Sequence, residues 1–169
     1  MHQGRKRFKT SEAFDSRAAT FRYGSGGAKI SYVELLDEQR NELVDINFDQ
    51  EVKIKIYFIS HSNAVIAPNY YIVDDKKNMI MGAGPRLLNV PYIKAMVGDR
   101  FIVTYTTRIP LREGIYSIHV ELTEPVVLDQ TAKFHDVIDD VIVFRVNRRE
   151  QGRIWAKVSI PNTIEIKSL

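Results

Sequence analysis

The chain has 169 residues, 24 Lys+Arg against 21 Asp+Glu, 44% hydrophobic residues and no cysteine. That length fits one domain whose core needs no disulfide or metal staple, and the missing thiols exclude disulfides, thiolate zinc sites and cysteine nucleophiles. The positive surplus is local: residues 1–27 hold six basic side chains (Arg5, Lys6, Arg7, Lys9, Arg17, Arg22) and two acids (Glu12, Asp15), so no basic stripe marks the folded part and no nucleic-acid partner is expected.

The basic start runs into Thr10-Ser11-Glu12, which fits neither a signal peptide nor a membrane span. Residues 1–27 end in Gly24-Ser25-Gly26-Gly27 and read as a flexible linker. Within them a short helix is expected over 12–21, with Phe14, Ala18 and Phe21 on one face. From Ala28 the pattern changes to short runs rich in Val, Ile, Tyr and Phe. Strands are expected at 28–36, 51–60, 69–74, 100–108, 114–123 and 137–146, with shorter ones at 43–48, 78–82, 153–158 and 162–167.

In 52–58, Val52, Ile54, Ile56 and Phe58 alternate with Lys53, Lys55 and Tyr57, so one face is dry and the other wet. Such half-buried strands pack as two sheets, and no repeat of 20–50 residues suggests a propeller or solenoid. Gly114-Ile115-Tyr116 places a tyrosine two residues after a turn glycine, at the start of an alternating strand. This is the position of a tyrosine corner, and an ordinary core tyrosine is the alternative. The expected fold is an all-β, immunoglobulin-like antiparallel β-sandwich over 28–152, with 153–169 as a C-terminal strand tail.

Chemistry is sparse. The glycines at 24, 26 and 27 do not make a phosphate loop, neither GxSxG nor HExxH occurs, and His2, His61, His119 and His135 lack metal-ligand spacing. No catalytic residue, metal or cofactor is expected. Asp74-Asp75 reads as part of a turn with Lys76-Lys77-Asn78, and Asp139-Asp140 as a strand-start or edge pair. A glycosidase built on these carboxylates is the weakest reading, because two carboxyls must face one bond across a cleft. The aromatics say more: outward tyrosines beside Arg, His, Thr and Asn suit a sugar, whose C–H face packs on a ring while its hydroxyls meet fixed polar groups. Strand phase selects Tyr57, His61, Tyr70, Arg108 and His119 as glycan-binding residues on a concave face of strands 51–60, 69–74, 100–108 and 114–123.

Four segments taken in order carry a family resemblance: Arg22-Tyr23-Gly24-Ser25-Gly26-Gly27-Ala28-Lys29-Ile30; Val52-Lys53-Ile54-Lys55-Ile56 followed by Pro68 and Ile72-Val73-Asp74-Asp75; Ile109-Pro110-Leu111-Arg112-Glu113-Gly114-Ile115-Tyr116; and His135-Asp136 with Asp139 to Val146. They resemble the C-terminal carbohydrate-binding domain of Wzt-type ATP-binding subunits of O-antigen polysaccharide ABC transporters. Glu113 departs from the family's Pro-Gly pair. The resemblance implies a non-catalytic domain that recognises the finished, lipid-linked O-antigen polysaccharide at the cytoplasmic face of the membrane. It also implies an ATP-binding domain before residue 1 that meets the transporter's membrane subunit. A structural immunoglobulin-like interaction domain is the alternative. The alternating tail over 153–167 is expected to hold a homodimer by strand exchange, with Trp155 as its apolar anchor; its closure on its own sheet as a last strand is the alternative.

Overall fold

The computed structural model describes residues 7–169; the basic residues Arg5 and Lys6 lie outside the described residues. Among the described residues ten strands follow one short α-helix and a single 3-10 turn: α1 (Glu12–Ala18), the turn (Ala19–Phe21), β1 (Arg22–Tyr23), β2 (Ala28–Leu36), β3 (Asp45–Ile46), β4 (Gln50–Ser60), β5 (Ala64–Val73), β6 (Met79–Ala83), β7 (Ile93–Ala95), β8 (Arg100–Ile109), β9 (Gly114–Val127) and β10 (Thr131–Val146). They form an immunoglobulin-like β-sandwich. The small sheet has the order β2-β4-β8, and the large one β1-β10-β9-β5-β6, with β7 beside β5 and β3 beside β10. All pairs are antiparallel except β3 with β10.

The alternation in the sequence produces the core. Val52, Ile54, Ile56 and Phe58 of the small sheet face Ile72, Ile118, Val120, Leu122 and Ile138 of the large one, all buried. Each such side chain contributes about 1.5–3 kcal/mol by leaving water. Tyr116 Oη donates to the Arg112 carbonyl at 2.8 Å, so the tyrosine corner is present and pins the connection between the sheets. The turn after β5 is also as expected: Asp74 accepts the Asn78 and Lys76 backbone N–H groups at 2.8 and 2.9 Å.

These bonds, the Asn78 N–H first, hold the Asp74 carboxyl at about 2 against an ordinary 3.8, although burial acts the other way. A depressed carboxylate contributes stability above its unfolded value and loses it as pH falls through the folded one. Asp74→Asn is therefore expected to lower the melting temperature at pH 5 to 7, and the difference from wild type should vanish as pH falls from about 4 to about 2. Parallel melts across that range check it; a difference that persists at about pH 2 contradicts the charge argument.

Two expectations are corrected. Residues 12–27 do not behave as a linker: Ser11 caps α1 by accepting the Phe14 N–H at 3.2 Å, and Phe14 and Ala18 enter the core. The apolar face Phe14/Ala18 was periodic but too short to outweigh the polar composition around it. Strands over 153–158 and 162–167 are also not formed. The tail meets the domain at an isolated bridge between Leu111 and Val158, flanked by the Arg112 N–H on the Lys157 carbonyl and the Ser159 N–H on the Pro110 carbonyl.

Candidate functional site

The outer face of the large sheet is where chemistry gathers, and a β-bulge is the cause. Along β9 and β10, Val120 pairs with Ile138 and Ile118 with Ile142, so Asp139, Asp140 and Val141 together stand opposite His119. Extra residues in one strand bend it and re-aim side chains. Asp140 takes φ +48°, a left-handed conformation that aspartate tolerates better than most residues. Two successive carboxylates, which a regular strand would send to opposite faces, both reach the outer one.

His119 sits between two acids and is 6% exposed. Its Nδ1 lies 2.5 Å from Asp139 Oδ1 and its Nε2 2.9 Å from Glu121 Oε1. A carboxylate only accepts, and a neutral imidazole has one N–H, so both bonds are satisfied together by the imidazolium. Burial pulls the His119 pKa down, but the bonds and charges of Glu121 and Asp139 outweigh it and leave it above the ordinary 6.5. Next to it Asp140 accepts from Ser117 Oγ at 2.5 Å and from Lys77 Nζ at 2.6 Å. Burial acts to raise the Asp140 pKa, yet these two donors keep it below its usual value, the opposite of what a general acid requires.

Aromatic rings border this polar patch. Tyr71 on β5 is in register with His119, their ring centroids 5.8 Å apart. Tyr23 on β1 is 54% exposed; loss of water around its phenol, then the charges of Asp139 and Glu121, raise its pKa. Asn69 donates to Thr123 Oγ1 at 3.1 Å. On β6, Gly82 lies beside Tyr71, where a Cβ would sit 2.5 Å from the Tyr71 ring, so the absence of a side chain keeps the ring uncovered. Asp139 also forms part of a groove of about 400 Å³ lined by Phe14, Arg17, Phe21, Ile138 and Val143. Asp140 lines it too, so polar face and apolar groove meet at this pair of carboxylates.

The five residues chosen from strand phase do not form one surface, since β4 and β8 belong to the small sheet and β5 and β9 to the large one. Alternation tells in from out but not which sheet a strand joins. Tyr57 does point outward from the small sheet, yet it is 3% exposed. Phe8 packs edge-on at 5.9 Å, and the Tyr57 hydroxyl donates to Glu34 at 2.5 Å, with Lys9 on the other Glu34 oxygen. Tyr70 points into the core against Tyr105, ring centroids 4.9 Å apart. Arg108 is exposed on the small sheet, donating to the Asp49 carbonyl. His61 is exposed after β4, its backbone N–H on the Gly27 carbonyl. Only His119 lies on the face described above.

A family model described as the Wzt C-terminal domain matches residues 19–156. The chain belongs to the Wzt C-terminal domain family. A solved structure titled "Crystal structure of the C-terminal domain of wzt" superimposes with a TM-score of 0.79 at 15% identity, covering 87% of this chain and 88% of that one; at that identity the likeness is one of fold. No curated protein matches. Among the described residues no helix is long and apolar enough to cross a membrane.

Two of the segments that carry the Wzt resemblance, 22–30 and 135–146, meet in space. Arg22 Nε lies 3.1 Å from Asp136 Oδ1, and Gly24, at φ +141°, passes so close to the His135 backbone that a side chain would collide with it. Their role in the Wzt fold is to lock β1 onto β10, which also places Tyr23 beside the site. Strand phase alone missed Tyr23, Tyr71 and Asp139. Asn69, a polar residue two positions before Tyr71, was the signal that Tyr71 rather than Tyr70 faces out.

Proposed function

We propose that the outer face of the large sheet binds the O-antigen polysaccharide while it is still lipid-linked, without cleaving it, and so couples recognition to export by an ABC transporter. One observation carries the reading: an exposed Tyr23 and a half-buried Tyr71 flank oriented polar groups, the acceptors Glu121 and Asp139 and the amide of Asn69. Rings cover the C–H faces of a sugar, and fixed acceptors meet its hydroxyls. Membership of the Wzt C-terminal domain family supports it. In this reading the domain works at the inner face of the cytoplasmic membrane, tethered to an ATP-binding domain that contacts the membrane subunit. Two copies pair through the C-terminal tail.

Calorimetric titration of the chain with O-polysaccharides, with a capsular polysaccharide as control, is the test. Tyr23→Ala and Tyr71→Ala should each weaken binding by about three- to tenfold, the worth of one ring contact. The Tyr57→Ala and Arg108→Ala proteins, altered on the other sheet, should bind as wild type where they fold. No binding, or release of reducing ends from the polymer, overturns the proposal.

A further inference from the structure

The charges on this face say what kind of sugar it takes. We infer that the His119 face is an acceptor site for a sugar residue presenting neighbouring hydroxyl or ammonium donors, and that it rejects residues bearing carboxylate or phosphate; this rests on the glycan-binding reading above.

Three carboxylates meet here, Glu121 from β9 and Asp139 and Asp140 from the bulge of β10. The two cations among them are paired with these carboxylates. Both ring nitrogens of His119 are taken by Asp139 and Glu121, and Lys77 Nζ rests on Asp140 at 2.6 Å. Three carboxylates against two cations leave the face with a net negative charge. Asp139 and Glu121 each use one oxygen on His119, and Asp139 remains 50% exposed. Their second oxygens are the acceptors that a ligand meets, and an acceptor pair selects donors. A uronate or phosphate would bring a like charge against the mostly buried Glu121 and the half-exposed Asp139, and like-charge juxtaposition disfavours a partner of the wrong sign. Arg17 stands across the apolar groove from Asp139, on the helix wall rather than on this face.

His119 is then a positioning residue. It holds the two carboxylates in a fixed relation and keeps their repulsion down, without touching the sugar. The groups that face it are Tyr71 from β5, Ser117 and Glu121 from β9, Asp139 and Asp140 from β10, Tyr23 from β1, and Lys77 through Asp140. Loss of its proton leaves one N–H for two acceptors and frees one carboxylate from its place.

The test is a panel of purified bacterial polysaccharides in three groups: neutral, amino-bearing, and uronate- or phosphate-bearing. The probe is the whole chain, read by calorimetry and by melting temperature. Binding is expected within the first two groups only. E121Q/D139N should weaken it by about tenfold or more, the loss of charge-assisted hydrogen bonds, with the fold intact by circular dichroism. Wild-type affinity should fall as pH rises from about 6 to about 9, through the imidazolium's titration, while H119Q binds weakly and without that slope. Acidic polymers bound within threefold of neutral ones overturn the inference and leave the glycan-binding reading standing; so does a wild-type affinity indifferent to E121Q/D139N. If no polymer of any group binds, the glycan-binding reading itself falls, and the inference with it. The comparison of polymer groups uses the wild-type chain and needs no variant to fold.

Discussion

Arg22→Ala is expected to remove about 3–5 kcal/mol of folding stability, the cost of breaking a buried ion pair by deleting one partner, or roughly 6–20 °C in melting temperature for a chain of this size. Asp136 is 4% exposed. It accepts the Ile30 N–H at 2.8 Å and the Arg22 guanidinium at 3.1 Å, and Arg22 also donates to the Ile30 carbonyl. One buried carboxylate thereby ties β10 of the large sheet to β2 of the small one. Burial raises its pKa above the ordinary 3.8, while Ile30 and Arg22 pull it back. A carboxyl raised in the folded state costs stability as pH rises through the window above 3.8, and Arg22 reduces that cost. Without Arg22 the window widens upward, so the deficit of the variant should grow with pH above about 4 and then level off. Urea and thermal unfolding at several pH values check both size and slope. Arg22→Lys, which keeps the charge but loses the planar fork, should fall between the two. A deficit below about 1 kcal/mol at neutral pH would mean that the pair is replaceable by water.

Most of the sandwich was legible because alternation is a local signal. The run from Val52 to Phe58 shows its phase without knowing its neighbours, and 28–36 reads as a strand with the same ends in the structure. Tyr116 was legible for a related reason: its partner, the Arg112 carbonyl, lies four residues away. What sequence could not supply is which strands share a sheet. Tyr57 and His119 both stand on outward phases, but on the two opposite outer surfaces, and Tyr57 is capped by Phe8 from a segment more than forty residues earlier.

The site itself depends on two non-local events. The bulge at Asp139–Val141 breaks the period of two, so any argument from alternation assigns one of the two aspartates to the wrong face. The arrival of Tyr23 depends on Arg22 finding Asp136, a contact across 114 residues. Both were written in the sequence as composition, a pair of aspartates inside an apolar strand and an arginine before a glycine. Neither had a geometry until the sheet closed.

The full chain is expected to be a dimer, and the chain ending at Gln151 a monomer that still binds glycan. Trp155, Ile160, Ile164 and Ile166 are all exposed, Trp155 at 74%. The tail is held by the Arg112 N–H on the Lys157 carbonyl and the Ser159 N–H on the Pro110 carbonyl, with Arg112 also donating to Trp155 and Lys157 lying 3.4 Å from Asp74. Fixing each residue of a tail costs about 1–2 kcal/mol of backbone entropy, while burying a large apolar side chain returns about 1.5–3 kcal/mol. With its alternating apolar side chains in water, the tail does not recover that cost within one chain. Laid along a second copy, it covers those side chains and extends a ladder, and a two-fold axis makes the exchange reciprocal. Trp155, which carries the Arg153 guanidinium over its ring at 4.6 Å, is the expected apolar anchor. Light scattering separates the outcomes: an unchanged dimer mass after truncation removes the tail from the interface, and a monomeric full chain removes the dimer. Because the tail packs back on the domain near Leu111 and the proposed glycan face lies on β5, β9 and β10, calorimetry on the truncated chain should return wild-type affinity for a single binding site. A loss there would place the second copy within the site.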